Sequence, residues 1–347
     1  MEKNMQNKVT KAGPLLDRKG HLIECGYATS LVKTYDRKSI KAGKLRIKEW
    51  DYYLIYNDNY AVAVTVDDNS YMGLNSFTLI DFSVPCETTV SPMTFMPKGK
   101  TNLPSTSKIG DISVSKKKYE FKLLNDGKTR KIKVWIKNFL KNTDLNAEFE
   151  LTDEPQDSMV IITPFKKKKK AFYYNQKIVG MKAVGKVELG DKLISFDEPT
   201  RAILDWGRGV WTYSNTWYWG AGAGIVDGHE VGFNIGYGFG DTSAASENMV
   251  FYDGVAHKLD GVTFNIPLDA KGRELYTSPW TFTSTDGRFE MDFQPIIDRH
   301  SNANVVLISS DQHQVFGKFT GKITLDDGKV IELKDFVGFA EKVKNKW

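Results

Sequence analysis

From Glu49 onward, runs of aromatic and β-branched residues of strand length are cut at short intervals by Asn, Asp and Gly, and few windows carry a 3.6-residue apolar period. A chain patterned this way builds sheets, because side chains on a strand alternate between two faces whereas a helix needs its apolar residues three and four apart. In EWDYYLIYNDNYAVAVTVDD the strand pattern runs to Tyr56, breaks at Asn57-Asp58-Asn59 and resumes at Tyr60, which predicts a hairpin; Asp326-Asp327-Gly328 predicts another. Helix is indicated only around KNFLKNTD and ASENM. Strands in both halves with no helices between them argue against a parallel α/β sheet. They predict an all-β fold of two consecutive antiparallel β-barrel or sandwich domains packed together. The run Lys166 to Lys170, after the apolar stretch MVIITPF, puts the expected division near 160, giving domains 1–160 and 161–347.

With 347 residues, 41% of them hydrophobic, the chain can bury a core without staples. Cys25 and Cys86 stand in no CxxC setting and are expected as buried thiols rather than as a disulfide framework or zinc ligands. The segment MEKNMQNKVTKAG has no apolar h-region, and no run approaches the roughly 18–20 apolar residues that span a bilayer. A cytoplasmic protein without integral membrane association is therefore expected. The net charge of +5 is modest, but lysines crowd residues 116–142 and 166–170. These runs read as solvated residues that protect sheet edges, with peripheral contact to an anionic membrane left open. They lack the aromatic platform of a nucleic-acid module, so no nucleic acid partner is expected.

The common catalytic signatures are missing. Gly127-Lys128-Thr129 resembles the end of a P-loop, but Lys122 stands where the first glycine belongs. GAGAG from Gly220 and GYGFG from Gly236 miss the GxGxxG spacing and read as places of close backbone approach. His21, His229, His257, His300 and His313 show no HxH or HExxH spacing, and there is no GxSxG elbow. No cofactor and no metal site are expected.

The stretch LDWGRGVWTYSNTWYWGAGAG, beginning at Leu204, holds four of the eight tryptophans. Read as one strand, its odd positions share a face: Asp205, Trp211, Tyr213, Asn215, Trp217 and Trp219. Two readings stay open. Rings of this size fill barrel interiors, and rings mixed with a few polar heads also line pockets for apolar ligands. Asp205 and Asn215 favour the pocket, since each needs a partner if buried. A carboxyl against indoles has its pKa raised and can act as a general acid, which makes Asp205 the candidate donor and Tyr213 or Asn215 the orienting group. Glu341 in FVGFAEKV and Asp292 in RFEMDFQ are further carboxyl candidates, and Arg208 or Arg299 are candidate partners for Glu341. In HEVGFNIGYGFG the even positions are glycines plus Glu230 and Asn234; a ring could lie against that backbone with Asn234 as its polar contact.

The strings LDWGRGVWTYSNTWYWGAGAG, GFNIGYGFGDTSAASEN and QVFGKFTGKITLDDGKVIELKDFVGFAEKVKNKW resemble the bacterial family of domain of unknown function 2804, in order and over nearly the whole chain. More distantly, the chain is similar to lipocalin-like double-barrel proteins, the group of AttH-like proteins, carotenoid 1,2-hydratases and tocopherol cyclase relatives. Asp205-Trp206-Gly207 resembles their Asp near an aromatic-Gly step, and Gly338 to Glu341 resembles their terminal G-x-x-E strand. The hydratase-type motif has a histidine beside the aspartate, and here that place is Trp206. The resemblance implies two lipocalin-like barrels and apolar ligands.

Three functions are expected in descending order. The first is binding of an apolar small molecule (isoprenoid, lipid or polyketide-like) among Trp206, Arg208, Trp211, Asn215, Trp217, Trp219, Asn234, Asp292 and Glu341. The second is an acid-promoted hydratase, isomerase or cyclase using Asp205 and Tyr213. The third is carbohydrate binding or processing.

Overall fold

The computed structural model describes residues 6–305 and 308–346. Among them there is no α-helix, only two short 3-10 turns at Arg37–Ser39 and Lys44–Arg46. The expected hairpins form: Ile47–Tyr56 returns as Tyr60–Asp68, and Ile308–Thr324 returns as Val330–Lys346. Neither weak helix signal is a helix. KNFL belongs to the strand Arg130–Leu140, and ASENM is the end of an irregular connection, its last residue opening the strand Met249–Tyr252.

Two large sheets account for nearly all strands. In the first, of 14 strands, the neighbours Tyr60–Asp68, Ile47–Tyr56, Arg201–Val210 and Phe172–Leu189 run side by side, with Thr143–Thr152 and Arg130–Leu140 beyond them. In the second, of nine strands, His229–Tyr237, Ser214–Val226, Val330–Lys346, Ile308–Thr324 and Phe289–Val305 are consecutive neighbours. The chain crosses from the first sheet to the second between Val210 and Ser214. Residue 160 falls inside a hairpin of the first sheet, where Val160 is opposite Gln176 and the five lysines form the turn.

The stretch after Leu204 is therefore two strands rather than one. Arg201–Val210 ends before Trp211, and Ser214–Val226 begins in the other sheet. Arg201–Val210 is buried at every position because both of its faces are covered. Trp206 and Arg208 look into the first sheet's own core, whereas Arg201 and Asp205 look towards the second sheet.

Two apolar clusters follow from this. One fills the first barrel and continues into the contact between the sheets, taking in Trp211, Trp219, Ala221, Ala223, Phe239, Phe316 and Phe339. The other fills the second barrel with Phe233, Trp280, Phe282, Phe289, Phe293 and Phe319. Each ring of this kind contributes roughly 1.5–3 kcal/mol when fully buried. The GAGAG repeat serves both clusters: Ala221 and Ala223 meet the first sheet, while a side chain on Gly222 would sit 2.8 Å from Phe233 and 3.0 Å from Phe336. Polar ties cross the contact. Arg201 donates to both carboxylate oxygens of Glu230 at 2.9 and 2.7 Å, and the Tyr56 hydroxyl donates to the Ala223 carbonyl at 3.0 Å.

Cys25 is half-buried and Cys86 is exposed; both are free thiols. The expectation of burial fails at Cys86 because its strand, Cys86–Val90, forms an end of the first sheet. No helix among the described residues is long and apolar enough to cross a membrane.

Candidate functional site

Two cross-strand rows face each other between the sheets. On the first sheet, Lys177, Asp205 and Tyr52 lie directly opposite one another on three neighbouring strands. On the second, Trp219, Glu341, Gln314 and Arg299 do the same on four. Register alone assembles these groups, since opposite residues on antiparallel strands stand within about 5.5 Å.

The rows interlock. Lys177 Nζ is 2.7 Å from Asp205 Oδ2 and 3.8 Å from the centre of the Trp219 ring, so one ammonium serves both a carboxylate and an indole face. Asn175 donates to Asp205 Oδ1 at 2.5 Å. Trp219 donates its indole N–H to Asn234 Oδ1 at 2.8 Å, and Asn234 donates to the Glu247 carbonyl at 2.9 Å. Glu341 accepts from Trp217 Nε1 at 3.0 Å and from Gln314 at 3.3 Å. Gln314 also donates to the Tyr52 hydroxyl at 3.2 Å and accepts from Arg299 at 3.0 Å.

Three carboxyls thus gather near the deeply buried Lys177 ammonium, with Arg299 acting also on Glu341 and Lys258 also on Glu247. Burial pushes Glu341 up to about 7; the Trp217 hydrogen bond and Lys177 oppose the rise, Asp205 adds to it, and Arg299 opposes it. Burial also raises Glu247, against the pull of Lys177 and the Asn234 hydrogen bond. Tyr173 is held well above the ordinary tyrosine range by burial and by Asp205, Glu247 and Glu341.

An aromatic nest adjoins these groups. Trp50 stacks on Tyr173 at 6.0 Å and meets Trp211 edge-on at 4.9 Å; Phe239 stands edge-on to Tyr173, Trp211 and Trp217 at 4.8, 4.7 and 5.2 Å. The rings pack edge to face on one another between the sheets. A recess of about 320 Å³ opens elsewhere along the contact, among Val179, Gly180, Glu230, Gly232, Phe251 and Gly254. Trp217 and Glu247 are half-buried and form the rim of the charged group.

Of the residues singled out from sequence, Asp205, Trp211, Trp217, Trp219, Asn234 and Glu341 are brought together here. The others stand apart. Trp206 is edge-on to Tyr174, and Arg208 pairs with Asp51 at 2.9 Å inside the first barrel. Asn215 closes a turn through its bonds to Thr212. Tyr213 is 48% exposed in the connection, and Asp292 is exposed on the outer face of its strand. Sequence reasoning missed Lys177, Tyr52, Glu247 and Gln314. Lys177 carried a usable signal: it is the lone cation in the apolar run AFYYNQKIVG.

Fold and site together define a lipocalin-like double barrel with ionisable groups enclosed between its halves. The chain belongs to the family described as Domain of unknown function (DUF2804), whose model matches residues 6–347. No curated protein matches its sequence. Among solved structures it is similar to a Nitrosomonas europaea protein ascribed to the AttH type, with a TM-score of 0.55 and 12% identity over 92% of this chain and 98% of that one. It is also similar to kievitone hydratase from Nectria haematococca (TM-score 0.48, 11% identity, 92% and 97% covered). A third likeness is to CghA with Sch210972 (TM-score 0.47, 10% identity, 96% and 97% covered). At such identities the first likeness is one of fold.

Proposed function

We propose that the protein binds an apolar small molecule, of isoprenoid, lipid or polyketide type, against the rings of Trp217, Trp219, Trp211 and Phe239. The observation that carries this reading is the enclosure of Lys177, Asp205 and Glu341 beside the indoles, with Lys177 over the face of Trp219 and Glu341 on the N–H of Trp217. Burying such groups costs several kcal/mol per ion, which packing alone does not call for. Rings supply the apolar contact and the polar heads orient a ligand's few polar atoms. Trp217, at the rim, is the ring that gives way on entry. The test is a tryptophan-fluorescence titration with farnesol, retinol and a long-chain fatty acid. A saturable change that is lost in W217F and kept in W280F, whose ring lies in the second barrel, supports the reading. An unchanged spectrum across the panel, or an equal response in W217F, overturns it.

A second reading, acid-promoted chemistry on an unsaturated ligand, is favoured by the position of Glu341. A carboxyl held near neutrality is poised for general acid work. In this scheme Glu341 rather than Asp205 gives its proton to a carbon of the double bond. Water then adds to the resulting cation, which the indole faces stabilise, and its released proton restores Glu341. Asp205 stays in its ion pair with Lys177. Deuterium uptake from D2O into a bound unsaturated ligand, absent in E341Q with binding retained, is the expected result; equal uptake in E341Q excludes the scheme.

A further inference from the structure

On the long hairpin of Phe289–Val305 and Ile308–Thr324, His300 is directly opposite His313, and Asp311 is opposite Asn302. Strand alternation puts the side chains of Asp298, His300, Asp311 and His313 on one face, the reverse of the face from which Gln314 reaches Glu341. Residues that show no metal spacing in sequence are thus neighbours in the sheet.

Ligand atoms of His300, Asp311 and His313 all lie within 4.8 Å of one another. His300 Nε2 is 3.0 Å and His313 Nε2 is 3.7 Å from the same oxygen, Asp311 Oδ1. On its other side His313 is fixed: Nδ1 is 2.7 Å from Asp298 Oδ2, and the ring stacks on Tyr276 with centroids 3.6 Å apart. An imidazole whose Nδ1–H donates to a carboxylate presents the lone pair of Nε2. In that tautomer the His313 lone pair is turned towards Asp311 Oδ1, 3.7 Å away, and because the His300 ring lies parallel at 4.1 Å, the exposed His300 side chain must turn to aim its own lone pair at the same point. With His300 so turned, a single divalent ion takes up both imidazole nitrogens and the Asp311 carboxylate, and bonds of about 2.0–2.2 Å to each match nitrogen-to-oxygen separations of this size. The carboxylate behind His313 is the partner that orients a metal-bound imidazole. Lys342 and Lys344, opposite His313 and Asp311 on the next strand, are both drawn to Glu274, which tempers their repulsion of a cation.

We propose that His300, His313 and Asp311 form a site for a divalent transition ion, with Asp298 positioning His313. Two imidazoles and one carboxylate suit zinc, cobalt, nickel or copper over magnesium or calcium, and three protein ligands leave a fourth position for water.

The experiment is calorimetric titration of the tag-free, full-length chain with Zn2+, together with Co2+ titration followed by its visible absorption. Expected are one equivalent bound per chain, ligand-field bands of a four-coordinate nitrogen–oxygen site, and a loss of about 100-fold or more in H313A. D298N, which keeps all three ligands, should weaken binding by about 10–100-fold. D311N, at a partly exposed position, serves as a second variant if H313A does not fold, and H229A should bind as wild type. Absence of uptake by the wild-type chain overturns the proposal. So does unchanged affinity in folded H313A or D311N.

Discussion

Lys177 and Asp205 stand opposite each other on neighbouring strands, ammonium to carboxylate at 2.7 Å, with side chains only 3% and 10% exposed. Removing one member of such a pair leaves the other charge without compensation, at a cost of about 3–5 kcal/mol, whereas replacing both is far milder. K177M is therefore expected to destabilise strongly, and K177M/D205N to recover more than half of the loss, with urea unfolding as the measurement. Equal destabilisation in the single and double variants would mean that the pair matters only for packing.

Glu341 gives a pH signature. Its folded value of about 7 lies above the ordinary 4.5, so between these values the folded chain holds a proton that the unfolded chain has released. That contribution to stability is complete below pH 4.5 and is lost as pH rises to 7. The neutral E341Q escapes the loss. It should match wild type in acid and exceed it by about 3 kcal/mol above pH 7. Lys177, Asp205 and Arg299 face Glu341 and set the midpoint, and K177M should move it upward. Parallel stability curves for wild type and E341Q from pH 4 to 8 would refute the assignment.

The fold was legible because strand alternation and turn residues are local signals, and Tyr56, Asn57 and Tyr60 carry them in adjacent positions. The crossing between sheets was not. The lysines at 166–170 look like a linker, yet they form a hairpin turn, with Lys166 paired to Asp241. The tryptophan stretch looked like one strand because nothing in Trp211-Thr212-Tyr213 resembles a turn; Asn215 makes the bend through its bonds to Thr212. Glu341 could be named from its parity with Phe339. Its neighbours Gln314 and Tyr52 could not, because which residues stand opposite depends on register, which no single strand contains.

The two thiols should separate kinetically. Cys86 is exposed on its edge strand, while Cys25 is half-buried and its thiol is pushed up by burial and by the Asp241 and Glu24 carboxylates. The thiolate is the reactive form. With an aromatic disulfide reagent at neutral pH, one equivalent should react quickly and the second at least about tenfold more slowly, and C86S should retain only the slow phase. A slow phase that persists in C25S and vanishes in C86S would reverse the assignment.

Gly207 is opposite Trp50 in the first sheet, and the Trp50 indole lies across it so closely that any Cβ would fall inside the ring. That approach lets Trp50 lie flat on Tyr173 and edge-on to Trp211, so the aromatic nest depends on a missing methyl group. G207A must displace the indole, and forced overpacking of this kind costs about 1–3 kcal/mol. The near-UV circular dichroism of the coupled rings should fall with it. If the clash is the cause, removing the ring removes the penalty: in a W50L background, G207A should cost less than half of what it costs in wild type. An equal cost in both backgrounds would place the damage in the backbone of Arg201–Val210, and would detach the aromatic nest from the glycine beneath it.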